Sequence, residues 1–158
     1  MMIEQKKVIP QSGHAALTEE DFLEGKDGKL FNRRGELVVL RGTNLGGWLI
    51  QEAWMCPLAK PDKAWGNWDT LHALEHRGFT EEQILRLFEA YQDNWITEKD
   101  LDRIASMGMN CVRVPFWYRN FQKDGNGTYY GDENMDENPG FQRLDWLVEQ
   151  CAKRGMYV

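Results

Sequence analysis

Polar side chains that can bind or transform a ligand fall in two separated stretches of the sequence. The first is Arg41-Gly-Thr-Asn-Leu-Gly-Gly-Trp48, followed by Glu52 and Trp54, and the second ends at Arg113. A carboxylate can accept hydrogen bonds from hydroxyl groups or take part in acid–base chemistry, and a guanidinium offers a fork of donors. A tryptophan ring can lie against the apolar face of a sugar. In a chain with 7 Trp, 5 Tyr and 7 Phe, these residues indicate a carbohydrate ligand, although core packing explains most aromatic residues.

A different chemistry is suggested by His72-Ala-Leu-Glu75-His76, which fits the H-x-x-E-H pattern of one class of zinc peptidases. Two imidazoles four residues apart share a helix face and could bind zinc. The predicted helix is short, because it ends at Gly78, and no clear helix with a third ligand follows. A zinc metallopeptidase is therefore the weaker alternative, and we expect no metal. The sequence has no phosphate-binding loop or dinucleotide fingerprint, so we expect no cofactor.

The composition limits the partners of the chain. Its 158 residues suit one domain, and 19 Lys and Arg against 25 Asp and Glu give a net charge of -6. This balance argues against nucleic acid and against an anionic membrane surface. No secretory-type apolar stretch is visible near the start, which slightly favours the cytoplasm and otherwise leaves the location open. The three cysteines are widely spaced, so we expect reduced thiols at Cys56, Cys111 and Cys151.

The first half of the chain predicts short strands followed by helices. Residues 1–24 are polar and are predicted to be a mobile arm with a helical turn near 18–23. The pattern over 29–40 is interrupted by Arg33-Arg34-Gly35, which predicts a hairpin. Its apolar end, 37–40, runs into a glycine-rich segment and predicts a buried strand that ends in a close-packed loop. Residues 54–94 form a long insertion, with a helix near 69–77 and a second opened by the capping box of Thr80 and Gln83.

The second half alternates helices with strands. A helix beginning at Thr97 ends at Gly108, and the strand that follows over 109–115 is closed by Pro115. A helix over 141–154 leads to what looks like the start of another strand at 156. An order of strand, helix, strand, helix and strand implies right-handed crossovers and a parallel sheet.

These motifs together resemble glycoside hydrolase family five, and most closely its exo-β-1,3-glucanase and related β-glucanase branch. The resemblance covers residues 38–158 and is carried by Arg41–Trp48 with Glu52, by Ile96-Thr97 with Asp100, and by Gly108-Met-Asn-Cys-Val-Arg113-Val-Pro115. It implies a (β/α)8 TIM barrel that hydrolyses β-glucans with retention of configuration. It also implies two catalytic glutamates, at the ends of the fourth and seventh barrel strands. The residue patterns alone predict only a parallel α/β chain.

Counted against such a barrel, the chain supplies its N-terminal part. The first barrel strand lies near 38–44, the second near 110–114, and the third begins at 156, whereas a complete barrel needs about 250 residues. We therefore expect an arm over 1–24 and a partial α/β barrel over 25–158, with an N-terminal hairpin and a helical insertion at about 54–94. Both catalytic glutamates are expected beyond Val158. The chain alone is expected to be inactive, and either to fold poorly or to self-associate through its exposed half-barrel edges.

The resemblance also implies roles in binding a β-glucan. Arg113 would lie next to the nucleophile, with a structural ion pair as the alternative. Glu52 would hydrogen-bond sugar hydroxyls, unless it is simply an exposed loop residue. Trp54 matches an aromatic subsite, but Ala53-Trp54 stands where Pro-Tyr is usual, so core packing is equally favoured. Tyr118 matches an aromatic position after the second strand, where core packing is the favoured role. A glucan-binding module without catalysis is the other alternative function.

Overall fold

The computed structural model describes residues 15–56, 65–124, 126–131 and 134–158. The first fourteen residues of the predicted arm and residues 57–64 of the predicted insertion lie outside these ranges. Within the part described, no helix is both long and apolar enough to cross a membrane.

A three-stranded antiparallel sheet precedes the rest of the fold. It consists of β1 (Leu23–Lys26), β2 (Lys29–Asn32) and β3 (Leu37–Val38), paired in that order. The hairpin between β2 and β3 is the predicted one. The hairpin between β1 and β2 was not predicted; it turns at Asp27 and Gly28, which both have positive φ, as a tight β-hairpin turn requires.

The described end of the predicted arm is attached to the rest of the chain. Residues Glu19–Asp21 form a single 3-10 turn within the region predicted as a helical turn. The Leu17 N–H donates to the Ala152 carbonyl at 2.8 Å, and the Tyr157 hydroxyl donates to the Asp21 carbonyl at 3.0 Å. The antiparallel sheet is thereby linked to the C-terminal end of the chain.

A parallel pair of strands forms the second sheet. Residues Gly42–Asn44 (β4) pair with Cys111–Arg113 (β5), so that Gly42 faces Cys111 and Asn44 faces Arg113. A parallel bridge from Cys111 to Tyr157 adds the start of a third strand. The described residues thus form a mixed α/β fold with small sheets and no closed barrel.

The prediction of a buried strand over 37–40 is wrong. Leu37, Val39 and Leu40 are exposed, because β3 is paired on one side to β2 and the chain then leaves that sheet before β4 begins. The parallel strand starts at Gly42, later than its apolar approach suggested.

The described part of the chain contains four helices: α1 (Asn67–His76), α2 (Glu81–Trp95), α3 (Glu98–Ser106) and α4 (Pro139–Lys153). The predicted capping box is present, with the Gln83 N–H donating to the Thr80 hydroxyl oxygen at 3.3 Å. At α3, the Asp100 carboxylate accepts the Thr97 N–H at 3.0 Å. The hydrogen bond from the Thr97 hydroxyl, together with the one from the Thr97 N–H, lowers the pKa of Asp100.

The hydrophobic core lies between the parallel pair and the helices α3 and α4. Val112 points into this core, whereas its neighbours Cys111 and Arg113 lie on the opposite face of the strand, as the two-residue period of a strand requires. Arg154 joins the two helices through ion pairs to Asp102 at 2.7 Å and Glu98 at 3.2 Å. The buried members of the core are Leu45, Trp48, Leu49, Leu101, Val112, Leu147, Cys151 and Met156.

Candidate functional site

Arg113 and Asn44 lie side by side at the carboxyl ends of the two parallel strands. Both side chains are exposed, and an Arg113 guanidinium N–H donates to the Asn44 Oδ1 at 3.5 Å. This distance makes the hydrogen bond weak. Among the described residues it is the only hydrogen bond of the guanidinium, so the remaining donors can bind a carboxylate or a hydroxyl group.

The face of β4 and β5 that carries Arg113 is not covered by the helices. It lines a shallow cavity of about 240 Å³. Cys111 shares this face, and burial raises the pKa of its thiol. A thiol with a raised pKa stays protonated at neutral pH, so Cys111 is unsuited to act as a nucleophile. The cavity is lined by Leu40, Gly42, Thr43, Asn44, Cys111 and Arg113.

The glycine-rich loop after β4 is held by side chains of α2. The Tyr91 hydroxyl donates to the Gly47 carbonyl at 2.5 Å, and the Trp95 indole N–H donates to the Gly46 carbonyl at 3.4 Å. Gly47 has a φ of 76°, and a Cβ there would lie 3.0 Å from the Cys56 sulfur. Burial raises the pKa of Tyr91, so the phenol remains a donor at neutral pH. The helical insertion therefore positions the loop that leads to Glu52.

Trp48 is a buried anchor of the same loop rather than a surface for a ligand. Its indole N–H donates to the Gln92 carbonyl at 2.7 Å, and its ring packs edge-on against Trp146 with 6.3 Å between ring centroids. A parallel bridge from Leu49 to Phe116 continues the pairing beyond the strands. The segments that follow β4 and β5 therefore remain side by side beyond the ends of the two strands.

Glu52 lies where the chain pairs with a second segment. It forms an isolated antiparallel bridge with Gly66, and its side chain is half-buried. Among the described residues, no hydrogen bond to its carboxylate is present and no hydrogen bond or ion pair links it to Arg113. The carboxylate oxygens are thus available to accept hydrogen bonds from a ligand.

The aromatic candidates differ in their surroundings. Trp54 is 80% exposed, which contradicts core packing for this residue. Tyr118 is 43% exposed and lies outside the buried core, with its ring edge-on to Trp117 at 5.7 Å between centroids. Trp65, which no sequence motif marks, is 74% exposed. Its position next to the Glu52 bridge depends on a pairing that no local pattern reveals.

The histidine motif forms a helix, as predicted, with His72 and His76 both in α1. The His72 Nδ1 lies 2.8 Å from a carboxylate oxygen of Glu75, and its ring packs edge-on against Trp68 at 4.6 Å between centroids. Within the described ranges, no group of three His, Cys, Asp or Glu residues is arranged to hold a metal ion.

Comparisons with known proteins identify the class as the glycoside hydrolases. The family model described as cellulase (glycosyl hydrolase family 5) matches residues 66–158. The chain belongs to this family, which confirms the resemblance found in the sequence motifs.

Three of the curated relatives that this chain matches are glycosidases by name. The chain is 29% identical over 137 residues to a β-xylosidase of Phanerodontia chrysosporium, covering 87% of this chain and 26% of the relative. It is 40% identical over 126 residues to a probable glucan 1,3-β-glucosidase A of Aspergillus terreus, covering 78% of this chain and 27% of the relative. It is 30% identical over 123 residues to a glucan 1,3-β-glucosidase of Candida oleophila, covering 75% of this chain and 27% of the relative. The chain thus spans about a quarter of the length of these relatives.

Proposed function

We propose that this chain is the N-terminal part of a retaining β-glucanase that hydrolyses O-glycosidic bonds in β-glucans. The observation that carries the proposal is the position of Arg113 in a family 5 chain. Its guanidinium is exposed beside Asn44 at the carboxyl end of a parallel strand, the end at which barrel enzymes bind substrate. In the proposed parent enzyme, the remaining barrel strands follow Val158.

The proposed barrel begins with β4 as its first strand and β5 as its second. The bridge from Cys111 to Tyr157 then marks the beginning of the third. Three features support this assignment: the strands are parallel, α3 and α4 cover one face, and the other face is open to a cavity. Both catalytic carboxyl groups would lie beyond Val158, which agrees with relatives of which this chain covers only 27%.

Each candidate residue has a distinct role in the proposal. Arg113 orients the nucleophilic carboxylate or a sugar hydroxyl, and Glu52 accepts hydrogen bonds from sugar hydroxyls. The exposed rings of Trp54 and Tyr118 supply apolar surface for sugar rings. The exposure of Trp54 and Trp65 also supports a second candidate function, glucan binding without catalysis.

Replacing Glu52 by alanine in the parent enzyme is expected to weaken substrate binding. A hydrogen bond to a charged acceptor contributes about 1.5–3 kcal/mol, so KM for a β-glucan oligosaccharide should rise at least about tenfold while kcat changes little. Steady-state kinetics measure both quantities on β-1,3- and β-1,4-linked substrates. Glu149→Ala is the control, because that exposed carboxylate pairs with Lys153 within α4. An unchanged KM for Glu52→Ala would remove Glu52 from the site.

Replacing Arg113 by alanine is expected to lower kcat itself. Removing one preorganised electrostatic contact to a reacting group costs on the order of 10²–10³ in rate. The control is Arg86→Ala, since Arg86 is exposed and pairs with Glu82 in its own helix. If Arg113→Ala retained the kcat of the unmodified enzyme, the main support for the proposed function would be lost.

A further inference from the structure

The main chain around Glu52 is paired at three successive positions with the segment that enters α1. The Gln51 N–H donates to the Asn67 Oδ1 at 2.6 Å, Glu52 is bridged to Gly66, and the Ala53 N–H donates to the Trp65 carbonyl at 3.0 Å. We call residues 51–53 and 65–67 the clip. Of the three pairings in the clip, only the one between Gln51 and Asn67 uses a side chain, that of Asn67.

The Asn67 side chain is well placed to fix its partner. Asn67 is 4% exposed and is the first residue of α1, so its backbone is set by the helix. The helix is also bonded to the clip, because the Trp65 N–H donates to an Asp69 carboxylate oxygen at 3.0 Å and the Thr70 hydroxyl donates to the Gly66 carbonyl at 2.9 Å. Through Asn67, the start of α1 therefore holds Gln51, the residue before Glu52, in a fixed position.

The Asn67 oxygen accepts a hydrogen bond from a buried main-chain N–H, that of Gln51. Gln51 is buried, and a buried N–H left without an acceptor is destabilising. Without the Asn67 oxygen, the Gln51 N–H would have to turn toward water. That rotation about the backbone would move the adjoining Glu52 Cα and the direction of its carboxylate.

We propose that Asn67 is a positioning residue that sets the orientation of Glu52 toward the bound sugar. This inference depends on the proposed function, because the sugar-binding role of Glu52 belongs to that proposal. Asn67 does not touch the substrate in this arrangement. It acts through the Gln51 N–H, so its effect requires the Glu52 carboxylate.

The chain contains a matched control for Asn67. Asn32 is 5% exposed, and its Oδ1 accepts the Glu36 N–H at 2.9 Å. It is thus a second buried asparagine that holds a main-chain N–H, but it lies in the antiparallel sheet. Replacing either asparagine by leucine removes the acceptor while keeping the branched arrangement of side-chain heavy atoms.

The kinetic test is a double-mutant cycle in the parent enzyme. Asn67→Leu is expected to raise KM for a β-glucan oligosaccharide about tenfold, with kcat changed less than about threefold, whereas Asn32→Leu leaves KM unchanged. In a Glu52→Ala background, Asn67→Leu should add less than about twofold to KM, because the two residues act as one unit. An equal KM effect in both backgrounds, or an effect no larger than that of Asn32→Leu, overturns the inference. If Asn67→Leu does not fold, Asn67→Ser, with a side chain too short to keep the contact, takes its place.

Amide hydrogen exchange separates this inference from the proposed function. In the parent enzyme, the Gln51 amide should exchange about tenfold faster in Asn67→Leu than in the unmodified protein or in Asn32→Leu, because its acceptor is lost. An unchanged Gln51 exchange rate overturns the inference whatever the activity. A parent enzyme that cleaves no β-glycoside overturns the proposed function instead, and the exchange result then decides whether Asn67 holds the Glu52 segment.

Discussion

Incubated with a β-glucan, the isolated 158-residue chain is expected to release no reducing sugar, whereas the parent enzyme does. Retaining hydrolysis needs two carboxyl groups about 5–5.5 Å apart across the scissile bond, and the proposed assignment puts both beyond Val158. Losing the general acid alone lowers the rate on the order of 10²–10⁴, and losing the nucleophile removes the covalent route. Reducing-sugar release, measured at equal molar concentrations of the two proteins, gives the comparison.

The same samples distinguish the alternative functions. Hydrolysis by the isolated chain would contradict the placement of the catalytic groups. Binding of the polysaccharide without hydrolysis, abolished by Trp54→Ala, would favour a glucan-binding module. Stoichiometric zinc found by metal analysis would favour a peptidase centred on His72 and His76.

Light scattering on the isolated chain is expected to show association between copies. The face of the parallel pair opposite the helices is open, and Leu37, Val39 and Leu40 are exposed nearby in the sequence. Exposed strand edges and apolar side chains favour association between copies. A monodisperse monomer with a sharp thermal transition would contradict this expectation.

The helices were predictable because their signals are local. Thr80 and Gln83 lie three residues apart and cap the start of α2 as expected, and Gly78 and Gly108 follow α1 and α3 with positive φ. The parallel pairing of β4 with β5 was also predictable, because a helix between two short strands favours a right-handed crossover. These parts of the fold depend on residues close together in the sequence or on general rules of chain connection.

The parts that the sequence did not predict depend on pairing between distant segments. The apolar run over 37–40 has the pattern of a buried strand, yet its burial is decided by whether another strand or helix covers it. The clip joins 51–53 to 65–67, and Asn67 has no motif that distinguishes it from an ordinary helix-start residue. For the candidate site, the sequence identified Arg113 and Glu52, but it could not show that Asn44 lies beside Arg113 or that Asn67 holds the residue before Glu52.

The largest loss of stability is expected from a substitution at Gly42, where β4 lies close to β5. A Cβ on Gly42 would lie 1.9 Å from the Cys111 carbonyl oxygen and 2.6 Å from its carbonyl carbon. Both atoms belong to the backbone of the paired strand, so no side-chain rotation can relieve the overlap. Gly42→Ala must therefore push β4 and β5 apart. This separation would also weaken the hydrogen bond in which the Leu45 N–H donates to the Arg113 carbonyl at 2.9 Å.

Gly42→Ala is accordingly expected to lower the free energy of unfolding of the parent enzyme by about 3 kcal/mol or more, at the upper end of the usual cost of overpacking. Denaturant unfolding measures this change. The control is Gly25→Ala in β1, where an added Cβ meets nothing within 4 Å and the change should stay within about 0.5 kcal/mol. Because Gly42 is two residues from Asn44, surviving Gly42→Ala protein should also show a reduced kcat, through displacement of Arg113 relative to Asn44. Equal stability of the two variants would mean that β4 and β5 are not in the register that places Asn44 beside Arg113, and the candidate site would lose its structural basis.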